Sequence, residues 1–115
     1  MLAPVESLWC QYLNASTQIT YPASPGDIRV TLLSSSKTAP TLYRVTLLIE
    51  LWADRETSES DAIELHSLVE MADSQYRLGA SIYGVSVQYP LAHPDPDSDL
   101  DRYQMTVTHH IRTLP

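Results

Sequence analysis

At 115 residues, with a formal net charge of −7 from 14 acidic and 7 basic side chains, the chain has room for one domain, 1–115, and one core. A hydrophobic fraction of 43% and an aromatic fraction of 8%, supplied by Tyr and Trp without any Phe, exclude a disordered chain. The excess of carboxylates, and the scatter of Arg29, Lys37, Arg44, Arg55, Arg77, Arg102 and Arg112 with no two adjacent, argue against DNA or RNA being gripped by a basic patch.

Cys10 is the only cysteine, so no intramolecular disulfide forms, and between Trp9 and Gln11 it reads as a half-buried thiol. The chain start lacks the basic stretch and apolar run of a signal peptide, and no apolar run reaches the ~18–20 residues that span a bilayer. The expectation is a chain made and kept in a reducing cytoplasm, or in a particle assembled there, with no membrane partner.

Val5, Leu8, Trp9, Tyr12 and Leu13 make the apolar stripe of a first helix, with Pro4 in its first turn, where a missing amide hydrogen costs nothing. Asn14 to Thr17 ends it. A short strand is expected around Gln18–Tyr21, then a turn over Pro22–Asp27. Ile28, Val30 and Leu32 predict a strand over Ile28–Ser34, and Ser34–Pro40 reads as a flexible polar linker. Tyr43, Val45, Leu47, Ile49 and Leu51 alternate with Arg44, Thr46 and Glu50, the two-residue period of a long strand over 41–53. The short connection makes the two strands an antiparallel hairpin whose Ser/Thr/Lys tip can extend beyond the core.

An acidic helix is expected from about Thr57 to Ser74. Thr57 or Ser58 would cap it, and Glu59 and Asp61 lie in the first turn, where the helix dipole favours negative charge. Ala62, Leu65, Leu68, Val69 and Ala72 form its buried stripe, with Glu59, Glu64, Glu70 and Asp73 on other faces. Ser81–Tyr89 predicts a strand with Tyr83, Val85, Val87 and Tyr89 on one side and Gly84, a bulge candidate, on the other. After the loop Pro90–Asp99, the closing strand Leu100–Thr113 turns Tyr103, Met105, Val107, His109 and Ile111 inward. The fold expected is α+β: an antiparallel or mixed sheet of four to five strands with two helices on one face.

The chemistry-bearing patterns are thin. Asp95, Asp97, Asp99 and Asp101 alternate, which invites calcium, but the loop lacks the central glycine and closing glutamate of an EF-hand, and two prolines stiffen it into an extended tip or docking arm. His109 and His110 are neighbours on a strand, so they point to opposite faces and do not share a metal ion. His66 has Glu70 at i+4 for an ion pair. Glu50 and Asp54 are the default general acids, although solvated edge charge is the plainer reading. No nucleophile elbow or glycine-rich phosphate loop exists, so neither catalytic residues nor a cofactor or metal are expected.

The stretch Tyr43–Ala53 followed by Ser58–Leu65, and the ending Leu100–His110 after an acidic loop, resemble the central strand, helix and last strand of the tail terminator proteins of long-tailed bacteriophages, the lambda U type. Ser16–Pro40 matches that pattern least. The resemblance implies a structural virion protein, made in the host cytoplasm, that forms a hexameric ring of its own copies. Such a ring caps the tail tube protein, stops its polymerisation and meets the head connector, while DNA passes through the lumen without specific binding. It implies lumen or interface roles for Glu59, Glu64, Glu70 and Asp73, and docking roles for the loops holding Lys37, Asp95, Asp97 and Asp99. A head-closure or adaptor protein of the same particle, a soluble ligand-binding α+β domain, and a small hydrolase or isomerase are the rival readings.

Overall fold

A computed structural model describes residues 5–73, 76–77 and 80–113. Helix α1 (Val5–Leu13) precedes strands β1 (Ile28–Ala39) and β2 (Leu42–Ala53), helix α2 (Ser58–Glu70), and strands β3 (Tyr76–Arg77), β4 (Ala80–Val87), β5 (Leu91–Ala92) and β6 (Asp101–Thr113). The strands form one antiparallel sheet in the order β1-β2-β6-β4-β3, with β5 beside β6. This is the expected α+β class. Pro4 and Ser74, expected in the first and second helices, lie outside the described residues.

Both helices cover the same face of the sheet. Alternation puts Val45, Leu47, Ile49 and Leu51 of β2 and Met105, Val107, His109 and Ile111 of β6 beneath Leu8, Trp9 and Leu13 of α1 and Ala62, Leu65 and Val69 of α2. Each large aliphatic side chain buried here contributes about 1.5–3 kcal/mol relative to exposure. Leu68, expected in the helical stripe, is instead 37% exposed, because it lies at the flank of α2 and not over the sheet.

The hairpin is longer than its sequence suggests. Ser34 to Ala39 is not a linker but the continuation of β1, paired from Ser34↔Thr46 to Ala39↔Leu42 across register shifts at Leu33 and Thr38. The 12 residues of β1, at ~3.3 Å each, make a strand of about 40 Å, close to the 45 Å long axis of the molecule. By contrast α2, with 13 residues, spans about 20 Å. The outer half of β1 flanks β2 at the edge of the sheet, and every residue from Leu33 to Pro40 is exposed, while Val45 of β2 and Ile111 of β6 at the same level stay buried in the core.

Three local expectations are corrected. No strand forms at Gln18–Tyr21; that segment is irregular, and Ser16 alone bridges Arg29 in parallel. Thr57 holds the N-cap position of α2 but makes no capping bond, because its hydroxyl donates to the charged Asp61 carboxylate at 2.9 Å. Ser58 does not cap either, its hydroxyl donating to Asp101 at 2.7 Å. β4 ends at Val87, short of Tyr89, which is 64% exposed.

Gly84 is the bulge. Its φ is +64°, and the register between β4 and β6 slips by one residue between Tyr83↔His110 and Ser86↔Thr108. The extra residue reverses the alternation. Ala80 and Ile82 face the core before it, and Val85 and Val87 pack on the core after it, so Tyr83 turns to the opposite face from the two valines.

Candidate functional site

The face of the sheet away from the helices has two unlike ends. At the end where β2 finishes, Glu50 is only 4% exposed, a correction to its reading as a solvated edge charge. Arg29 donates from Nε to Oε1 of Glu50 at 2.8 Å, and Nη1 of Arg102 lies 3.6 Å from Oε2. The fully buried Trp52 lies beneath both guanidinium groups, whose Cζ atoms are 5.2 and 5.8 Å from its ring centroid. A buried charge pair is tolerable only with further partners, and the planar guanidinium supplies them through its forked donors and its stacking face.

The acidic loop closes over this cluster. The Trp52 indole N–H donates to Oδ2 of Asp95 at 2.9 Å, and the Asp97 amide donates to Oδ1 at 3.0 Å. These two bonds, more than the nearby Arg102 and Arg29, hold the Asp95 carboxyl below its ordinary value. Arg102 also donates from Nε to the His93 carbonyl at 2.9 Å and contacts Nδ1 of the same residue at 2.9 Å. Asp95 is thus buried at 7% exposure, not carried on a free docking tip. A cavity of about 330 Å³ beside it is lined by Arg55, Asp95, Asp101, Arg102 and Tyr103. The heads of Asp95 and Arg102 are already committed within the fold, so the cluster fastens the loop to the sheet and leaves neither group free to act on a ligand.

The other end of this face is cationic. Register pairs Arg44 with His110 and Leu42 with Arg112, making the two arginines diagonal neighbours on the same side. His110 stacks on Tyr83 with centroids 5.5 Å apart and planes 17° apart. The hydroxyl row Ser34–Thr46–Thr108–Ser86 lies beside them. Among the described residues, no ion pair or side-chain hydrogen bond engages Lys37, Arg44 or Arg112.

The remaining candidates are dispersed. Glu59 and Glu64 are exposed on α2, Glu70 sits 3.2 Å from His66 Nδ1, and Asp73 accepts from the Gly84 amide at 3.0 Å. Asp97 and Asp99 are exposed, and the Asp99 carbonyl accepts from Arg55 Nε at 3.0 Å. Lys37 stands alone near the hairpin tip. His109 and His110 do point to opposite faces. Among the described residues no group of three His, Cys, Asp or Glu is placed to hold a metal ion, and no helix is long and apolar enough to cross a membrane.

His109 is wholly buried in the core and accepts at Nε2 from the Trp9 indole N–H at 2.9 Å. Its Nδ1 lies 3.0 Å from the His110 carbonyl. Both bonds are satisfied by one proton, on Nδ1, so the ring is neutral. Burial is the chief cause that lowers its pKa.

No single segment shows the Arg44–Arg112 pairing, which sequence reasoning missed. A signal for it exists in the chain: twelve of the 14 acidic residues fall within 50–73 and 95–101, while 28–49 and 102–115 contain cations and no acidic side chain. No protein-family model matches the chain, and no curated protein matches it in sequence.

Proposed function

We propose that the chain is a structural component of a phage particle, a tail terminator that joins the end of a tail tube to the head connector. It assembles as a ring of its own copies, hexameric being the symmetry that the family resemblance implies. The observation that carries this reading is the long β1–β2 hairpin, whose β1 strand is exposed from Leu33 to Pro40 at the sheet edge, in the element order helix, hairpin, acidic helix, closing strands that the resemblance implies. The outer half of β1 adds no buried side chain to its own domain, so its use lies outside the domain. A role in assembly, not catalysis, also agrees with Glu50 being locked between Arg29 and Arg102.

In this reading acidic side chains such as Glu59, Glu64 and Glu70 give the lumen a negative surface past which DNA slides without sticking. A head-closure or adaptor protein would use the same arm on a different neighbour. The ligand-binding reading is weaker, because the cavity beside Asp95 is bordered by groups already bonded to one another.

The test is negative-stain electron microscopy of the purified chain, alone and mixed with tail tubes. Closed rings, and caps on tube ends, are expected. A species that stays monomeric or dimeric at high concentration and never marks a tube end overturns the reading.

A further inference from the structure

The molecule is polarised along its length. One end carries the hairpin arm, with Arg44 and, beside it on β6, Arg112 on the open face of the sheet, and Lys37, in register with Tyr43, on the other face of the tip. At the opposite end of β2, the turn after Ala53 and the loop before β6 carry Asp54, Glu56, Asp97 and Asp99, all exposed and without a described ion pair. Asp54, Glu56 and Asp99 border an open cleft of about 510 Å³, together with Arg55, Thr57 and Leu100. Arg55, bonded through Nε to the Asp99 carbonyl and 3.9 Å from Asp101, is one cation against the three carboxylates of the cleft, which stays net negative.

We propose that the cationic arm of one copy docks on the acidic cleft of a second copy of this chain, head to tail. The inference rests on the self-assembling reading above and names its contact surfaces. Two observations select a second copy as the occupant. The first is charge complementarity: diagonal arginines on an open sheet face repel one another, and the matching unpaired carboxylates sit at the far end of the same molecule, out of reach within one chain. The second is the strand edge. The outer edge of β1 is capped up to Leu32, where Ser16 bonds with Ile28 and Val30 and the Glu6 carboxylate accepts from the Leu32 amide at 3.0 Å. Beyond Leu32 that edge carries no hydrogen bond among the described residues, and an uncovered edge invites a neighbour. Unlike patches at opposite ends make a heterologous contact, which closes into a ring when the rotation between copies allows it.

The experiment is sedimentation velocity and electron microscopy of the full chain, of the double variant Lys37→Glu/Arg44→Glu, of Asp54→Lys/Glu56→Lys, and of the two variants mixed. All four positions are exposed, so folding is retained. The native chain is expected to form rings. Each variant alone is expected to need at least a tenfold higher concentration to assemble, and the equimolar mixture to recover assembly, which also shows both variants folded. If native rings form and the variants assemble equally well, the docking proposal falls while the assembly reading stands. The docking proposal also falls if the arm variant forms rings but no longer caps tubes, or no longer binds a single-stranded oligonucleotide that the native chain binds, because the arm then serves another partner. A native chain that never assembles overturns both.

Discussion

His109 shows how one polar residue can be built into an apolar core. Its two ring nitrogens are matched to one donor and one acceptor, the Trp9 indole and the His110 carbonyl, so neither is left orphaned at depth. Since burial depresses its pKa from the ordinary 6.5, the unfolded chain takes up the proton first as pH falls. The contribution of this residue is then whole above about pH 6.5 and is lost progressively below it, toward the depressed folded value. His109→Phe is expected to cost about 1–3 kcal/mol at neutral pH by orphaning the Trp9 N–H. Urea midpoints measured at neutral and mildly acidic pH should also converge for this variant relative to the native chain. An unchanged pH slope would show that another histidine carries it. Glu50 follows the same rule with full charges: it is kept inside the fold because Arg29, Arg102 and the Trp52 ring surround it.

At the scale of elements, the bulge at Gly84 governs the edge of the sheet. A Cβ at this position would meet Nδ1 of His110 at 3.2 Å, on a backbone already at φ +64°. Gly84→Ala is therefore expected to destabilise by about 1–2 kcal/mol through left-handed strain and crowding. Deuterium exchange should rise first at the amides of β4 and the facing part of β6. Loss spread evenly over the sheet would argue against a local bulge defect. The hairpin obeys a different logic: the outer half of β1 is chiefly exposed Ser, Thr and Lys on ladder hydrogen bonds, stable because β2 is anchored along β6.

For the whole molecule, the net charge of −7 conceals a separation of charge. Asp54, Glu56, Asp97 and Asp99 gather at one end of the sheet, and the unpaired cations Lys37, Arg44 and Arg112 lie at the opposite end. A contact built from exposed charges is screened as the Debye length contracts from about 10 Å at 0.1 M salt to about 3 Å at 1 M. The proposed ring assembly is thus expected to weaken as salt is raised from about 0.1 M toward 1 M, measured by sedimentation. Assembly that strengthens with salt would instead indicate an apolar contact.

Much of the fold was legible in the chain because it is local. The two-residue alternation in Tyr43–Leu51 and Tyr103–Ile111 and the stripe Val5–Leu13 each identify a buried face without reference to the rest of the chain. The opposite orientations of His109 and His110 follow from the same geometry. The class of fold, the core faces of the long strands and the excess of acid are therefore written in the residues alone. Other features arise only on folding. Ser34–Ala39 is strand because β2 pairs with it, against its own polar composition. Asp95 is buried because the loop folds back onto Trp52, 43 positions away. Register across β2 and β6 brings Arg44 beside Arg112, and a one-residue slip at Gly84 separates Tyr83 from Val85. Each of these depends on which strands become neighbours and in what register, a property of the assembled sheet that no single segment carries.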